Sequence, residues 1–132
     1  MPRALTEILT EREAQIMDVL WRRGEALADQ VRAELPGEPH DSTVRTLLRI
    51  LETKGFVAHQ TRGKAFVYRP AVGRARAQRS ALKNFVGRLF GGSAEDLVLR
   101  LIEDEVLTLE QLELSRKQAQ PRSPRRRKGG PT

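Results

Sequence analysis

Two groups of residues in this 132-residue chain are equipped for directional polar chemistry. The first is Ser42, Thr43, Arg45, Thr46 and Arg49, inside DSTVRTLLRILETKG. The second is Arg62 and Lys64, on either side of Gly63 in QTRGKAF. Arginine offers paired donors that match guanine, and threonine offers a hydroxyl and a methyl to base edges. The Ser42 and Thr43 amides, at a helix start, suit a phosphate oxygen. Arg62 and Lys64 at a turn suit phosphate or the adjacent minor groove. The chain is expected not to be an enzyme: no acid–base pair, nucleophile–base arrangement or phosphate-binding glycine loop stands out. The absence of cysteine excludes disulfides and thiolate metal sites. His40 and His59 are too few and too separated to found a metal site, and read as a turn and a strand residue. No metal or cofactor is expected.

These side chains need a scaffold, and the apolar periodicity supplies one. A first helix starts at Thr10, where Thr10 and Glu13 have capping-box spacing, and ends at Gly24. Ile16, Met17 and Leu20 form its stripe. A second helix is expected over 26–35, with Leu27, Val31 and Leu35 at spacing four, and Pro36-Gly37-Glu38-Pro39 stops it. A third is expected over 42–54, capped by Asp41 or Ser42 and closed by Lys54-Gly55. Val44, Leu47, Leu48 and Leu51 share its buried face. At about 100° per residue, Ser42, Thr46, Arg49 and Thr53 lie opposite that face and Arg45 lies on the flank. Strands follow at 56–60 and 65–69, where Phe66 and Tyr68 alternate and Gly63 favours a tight turn.

Taken singly, each feature has an ordinary alternative. Arg45 and Arg49 are what a wet helix face carries, and Arg62, Gly63 and Lys64 are what a wet hairpin tip carries. Trp21 and Tyr68 fit core positions better than nucleobase platforms. The order of the parts is more specific. Three helices followed by a two-stranded wing with a basic tip is the winged helix arrangement. The fold expected is therefore mainly α with a small β-hairpin. The expected division is a winged helix-turn-helix domain at 1–70, a helical dimerisation domain at 71–120 and a basic tail at 121–132. The main partner expected is double-stranded DNA; the competing reading is a winged helix protein-interaction module without sequence-specific DNA binding.

Beyond the wing, a long helix is expected over 72–90, with Leu82, Phe85, Val86 and Leu89 on one side. Gly91-Gly92 breaks it and Ser93 caps the next helix, which repeats Leu97/Val98 and Leu101/Ile102. Thr108 with Gln111 opens a short helix carrying Leu109 and Leu112. These stripes leave little room for a core of their own, so a twofold homodimer is expected to cover them. Two half-sites then improve affinity and register. Arg74, Arg76 and Arg79 are either near the DNA side of such a dimer or ordinary surface charge.

Net charge is +7, but residues 1–70 are nearly balanced, with 11 Lys/Arg against 10 acids. The excess sits in 71–90 and in PRSPRRRKGGPT, which reads as disordered. Arg122 and Arg125 to Lys128 there either add salt-dependent phosphate attraction or simply solubilise. The opening MPRALTEILTERE lacks an apolar signal region and no apolar run approaches membrane-spanning length, so a cytoplasmic protein without a membrane partner is expected.

The chain resembles the penicillinase and methicillin-resistance repressors of bacteria, a family with copper-responsive relatives. LTEREAQIMDVLW (9–21) resembles the family's first helix and STVRTLLRILETKG (42–55) its recognition helix. GKAFVYRP (63–70) resembles the wing strand, and FVGRLFGGSAEDLVLRLIE (85–103) with LTLEQLELSRK the dimerisation region. The similarity spans roughly residues 5–118. It implies a homodimeric winged helix repressor bound to a promoter palindrome, with contacts at Ser42, Thr43, Thr46, Arg49, Arg62 and Lys64. Antibiotic-responsive members are cut by a sensor-linked protease at an asparagine–phenylalanine bond, and the matching step here is Arg100-Leu101. The copper-responsive members use cysteines that this chain lacks.

Overall fold

The computed structural model describes residues 8–120. Six helices and three strands follow one another among them. α1 is Glu11–Arg23, β1 Ala26–Leu27, α2 Ala28–Ala33 and α3 Asp41–Lys54. β2 is Val57–Arg62 and β3 Ala65–Pro70. α4 is Arg74–Leu89, α5 Ala94–Glu103 and α6 Leu109–Gln118. The mainly helical chain with a small antiparallel hairpin is the fold class that the sequence implies.

α1 begins as its sequence suggests. The Glu13 amide donates to Thr10 Oγ1 at 3.2 Å, and the Thr10 amide donates to Glu13 Oε1 at 2.8 Å. Gly24 ends it at φ 87°, a conformation costly for residues with a Cβ. Ile16, Met17 and Leu20 are fully buried.

The second helix is shorter than expected. Ala26 and Leu27 belong instead to β1, which pairs antiparallel with β3 through Ala26↔Tyr68 and Leu27↔Val67. The sheet therefore has three strands in the order β1-β3-β2 rather than being a bare hairpin. A two-residue strand has no periodicity of its own, so only its partner reveals it. The extended Leu27 then starts α2, with its amide donating to Gln30 Oε1 at 2.8 Å.

α3 begins one residue early, and its expected cap is absent. His40 stands at the N-cap position without a side-chain cap bond, while Asp41 is helical and accepts instead from Arg45. Val44, Leu48 and Leu51 are fully buried and Leu47 half-buried, so the leucine face packs into the core. Each fully buried residue of this kind contributes about 1.5–3 kcal/mol relative to exposure. Gly55, at φ 92°, closes the helix, and the Phe56 amide donates back to the Leu51 carbonyl at 2.9 Å. The chain thus turns directly into β2.

β2 and β3 run two residues and one residue further toward the tip and exit than expected. Arg62↔Ala65 is their last pair, leaving Gly63-Lys64 as a two-residue loop. Gly63 has φ 63°, suited to a glycine-first hairpin turn. Phe66 and Tyr68 do share a face, but their fates differ. Tyr68 is buried and Phe66 is 45% exposed.

α4 starts at Arg74, because Gly73 occupies its extended N-cap position; Gly73 is therefore not an interior helix breaker. Val72 and Ala77 are buried in the core of the winged part. Trp21 Nε1 donates to the Val72 carbonyl at 2.9 Å, and Arg74 pairs with Asp18 at 3.1 Å while lying over the Trp21 ring. Arg74 is thus occupied in anchoring α4. From residue 78 to 120 no described residue is fully buried. Ser93 caps α5 by accepting from the Asp96 amide, and Thr108 with Gln111 makes the reciprocal box at α6. The basic tail lies outside the described residues.

Candidate nucleic-acid interface

The buried face of α3 decides what its other face presents. With Val44, Leu48 and Leu51 inward, Ser42, Thr43, Arg45, Thr46 and Arg49 are all exposed. They form one polar surface on a helix of 14 residues. Arg49 makes no ion pair with any described residue, so its five donors remain available to a ligand.

Two linkages fix α3 against the rest of the fold. Near its C-terminal end, Lys54 Nζ donates to Glu13 Oε1 at 2.8 Å and to the Ile8 carbonyl at 3.1 Å. Glu13 is 2% exposed. Burial pushes its carboxyl up, but Lys54 and the Thr10 amide outweigh this and hold it below the ordinary glutamate value. On the wing side, His59 Nδ1–H donates to Glu52 at 2.8 Å, and the His59 ring stacks on Phe66 at 4.2 Å between centroids. α3, β2 and β3 are thereby joined through side chains.

Arg45 and the wing come together across a groove of about 320 Å³, lined by Leu27, Ala28, Asp29, Arg45, Lys64, Ala65 and Phe66. The groove brings two residues of the predicted site, Arg45 and Lys64, to one opening. Arg62 sits at the end of β2 and faces a different neighbour. Its guanidinium donates to both Glu25 oxygens, at 2.8 and 3.1 Å. Arg45 is held similarly, with Nε donating to Asp41 at 2.7 Å and Nη2 3.7 Å from Asp29. Glu25 and Asp41 are held below their ordinary carboxylate values by Arg62 and Arg45 respectively. Sequence reasoning missed Glu25 and Asp29 entirely. Glu25 is 37 positions from Arg62 and no local spacing links them. The Asp41–Arg45 separation of four is local, and in the structure it makes an ion pair where the sequence suggests a cap.

The residues expected to dimerise are carried by α4, α5 and α6. Leu82, Phe85, Leu89 and Leu109 are 42–68% exposed. Val86, Leu97, Val98, Leu101, Ile102 and Leu112 are half-buried. Leu99, Val106 and Leu114 are further exposed apolar side chains of this region, outside the set that the sequence periodicity picks out. Phe85 and Phe90 meet at 5.6 Å between centroids. Leu82, Val86 and Gly87 on α4 face Gly92 and Ala94 across an open apolar hollow of about 500 Å³.

A helix-turn-helix with an adjoining two-stranded wing, an outward polar α3 and a trailing helical segment defines a winged helix transcriptional regulator. The chain belongs to the penicillinase repressor family, whose pattern matches residues 9–120. The family is one of transcriptional repressors and not of enzymes. Over 107 residues the chain is 28% identical to the methicillin resistance regulatory protein MecI of Staphylococcus aureus, covering 80% of this chain and 87% of that one. It is 26% identical over 106 residues to the penicillinase repressor of Bacillus licheniformis, covering 79% and 83%. The solution structure of the DNA-binding domain of the repressor BlaI is similar with a TM-score of 0.49 and 27% identity, over 55% of this chain and 90% of that chain. No described helix is long and apolar enough to cross a membrane.

Proposed function

We propose that the chain is a homodimeric repressor in which each protomer reads one half of a palindromic promoter operator with α3 and the wing turn. The observation that carries this is the exposed Ser42/Thr46/Arg49 face, held opposite three fully buried residues of the same helix. Arg49 supplies the base contact, Ser42 and Thr43 a phosphate contact at the helix start, and Thr46 a contact to base edges. Arg45 and Lys64, at the two sides of one groove, and Arg62 at the wing engage the backbone beside it.

In this reading residues 1–70 form the DNA-binding domain, and 71–120 form the dimerisation domain with α4 rooted through Val72 and Ala77. The apolar side chains from Leu82 to Leu112 supply the twofold contact. Their exposure in a single chain supports it, since an isolated domain rarely leaves so large an apolar surface to water. The asparagine–phenylalanine step cut in the antibiotic-responsive relatives is occupied here by Arg100-Leu101 within α5, so either a protease of another preference acts on this chain or release from DNA works differently.

The test begins with protection mapping of genomic fragments bound by the protein, which yields half-site sequence and spacing. Titration of that operator with Arg49→Ala is expected to show binding weakened by about 5- to 150-fold, the value of one good bidentate base contact. Light scattering is expected to show an unchanged dimer. Unchanged operator affinity would remove Arg49 from the interface.

A further inference from the structure

The arginines of the proposed DNA face are unequal. Arg49 and Lys64 make no ion pair among the described residues. Arg62, by contrast, is gripped end-on by Glu25, with each terminal guanidinium nitrogen donating to a separate carboxylate oxygen at 2.8 and 3.1 Å. Glu25 lies in the turn between α1 and β1, and Arg62 is the last residue of β2 before the wing loop. The two are about half-exposed. A salt bridge here therefore meets solvent and any polyanion that docks on the wing.

We infer that Glu25 is an internal competitor for DNA phosphate, occupying Arg62 in the free protein and lowering the affinity of the wing for any duplex. This rests on the DNA-binding reading above and adds to it a residue that acts against binding. The physical reason is exchange. When a phosphate takes Arg62, the Glu25 carboxylate loses its partner and stays beside the negative backbone. Wing binding therefore gains only the difference between two oxyanions, where an unpaired arginine would gain the full attraction. Because the exchange involves phosphate, the opposition is the same for every sequence. Arg49 carries no such counter-charge among the described residues, so base reading by α3 is not reduced. Asp41, 2.7 Å from Arg45 Nε, and Asp29, 3.7 Å from its Nη2, act in the same direction on Arg45.

The test uses the full chain and a random-sequence 30-base-pair duplex in a fluorescence anisotropy titration across a range of KCl concentrations. Glu25→Gln and Glu25→Ala are expected to bind about two- to fivefold more tightly at low salt, the scale of one exposed ion pair. The slope of log K against log salt is expected to steepen by up to about 0.9, one phosphate equivalent. In an Arg62→Ala background the same substitutions are expected to change nothing. Glu110→Gln, an equal change of net charge at an exposed position on α6, is the control. The inference is overturned if the Glu25 variants bind equally or more weakly, if their gain survives without Arg62, or if Glu110→Gln matches it. A wild-type chain that binds no duplex at low salt would overturn the DNA-binding reading as well, so the two failures are distinguishable.

Discussion

Replacing Lys54 with methionine isolates the linkage that ties α3 to α1. Lys54 is 19% exposed and Glu13 3% at the side chain, and methionine keeps most of the apolar stem while removing the ammonium. Glu13 then retains the Thr10 amide at 2.8 Å but loses the charge 2.8 Å away. Removing one partner of a buried pair costs about 3–5 kcal/mol. Partial exposure of Lys54 and the surviving cap bond place the cost at the lower end, about 3 kcal/mol. For a chain of this size that is a fall in Tm of roughly 10 °C at neutral pH.

The sign with pH follows from the folded carboxyl, which Lys54 and Thr10 hold below 4.5 against the opposing effect of burial. A depressed carboxylate contributes stability that is fully present above its unfolded value and is lost as pH falls through the folded one. Without Lys54 the burial of Glu13 is opposed by Thr10 alone and the carboxyl moves up, so the variant loses less stability than the wild type as pH falls. The difference between wild type and Lys54→Met is thus expected to be largest above about pH 5 and to shrink steadily below 4.5. Urea unfolding at several pH values, followed by circular dichroism, measures it. A loss under about 1 kcal/mol at pH 7, or one equal at pH 3.5 and pH 7, would refute the reasoning.

Two further substitutions separate the core from the dimer surface. Leu48→Ala removes a fully buried side chain from the α3 face and is expected to cost about 2–5 kcal/mol in urea unfolding; a cost below 1 would contradict its burial. Leu101→Asp places a charge among the half-buried apolar residues of α5. Monomers at low micromolar concentration and weakened binding to a two-half-site operator are the expected outcome, and a retained dimer mass by light scattering would exclude Leu101 from the interface.

Much of the helical architecture is local and was readable from local pattern. The Thr10/Glu13 and Thr108/Gln111 boxes, the Ser93 cap and the glycine stops at 24, 55 and 91–92 each need only a few neighbouring residues. The Val44/Leu48/Leu51 stripe needs only helical periodicity, and it also places Thr46 and Arg49 outward. β1 was not readable, because two residues become a strand only when β3 lies beside them. The cap expected at Asp41 is absent because its carboxylate pairs with Arg45. Its carboxylate had two possible partners, the helix-start amides and Arg45, and composition does not choose between them.

The sequence by itself determined which side chains of α3 face outward and which turn carries Arg62 and Lys64, since a helix and a hairpin impose those directions through backbone geometry alone. Tertiary structure decided how those charges are used. Glu25 reaches Arg62 across 37 positions and Lys54 reaches Glu13 across 41. Such pairings depend on where the folded chain brings its ends, and electrostatic energy depends on distance in space rather than separation along the chain.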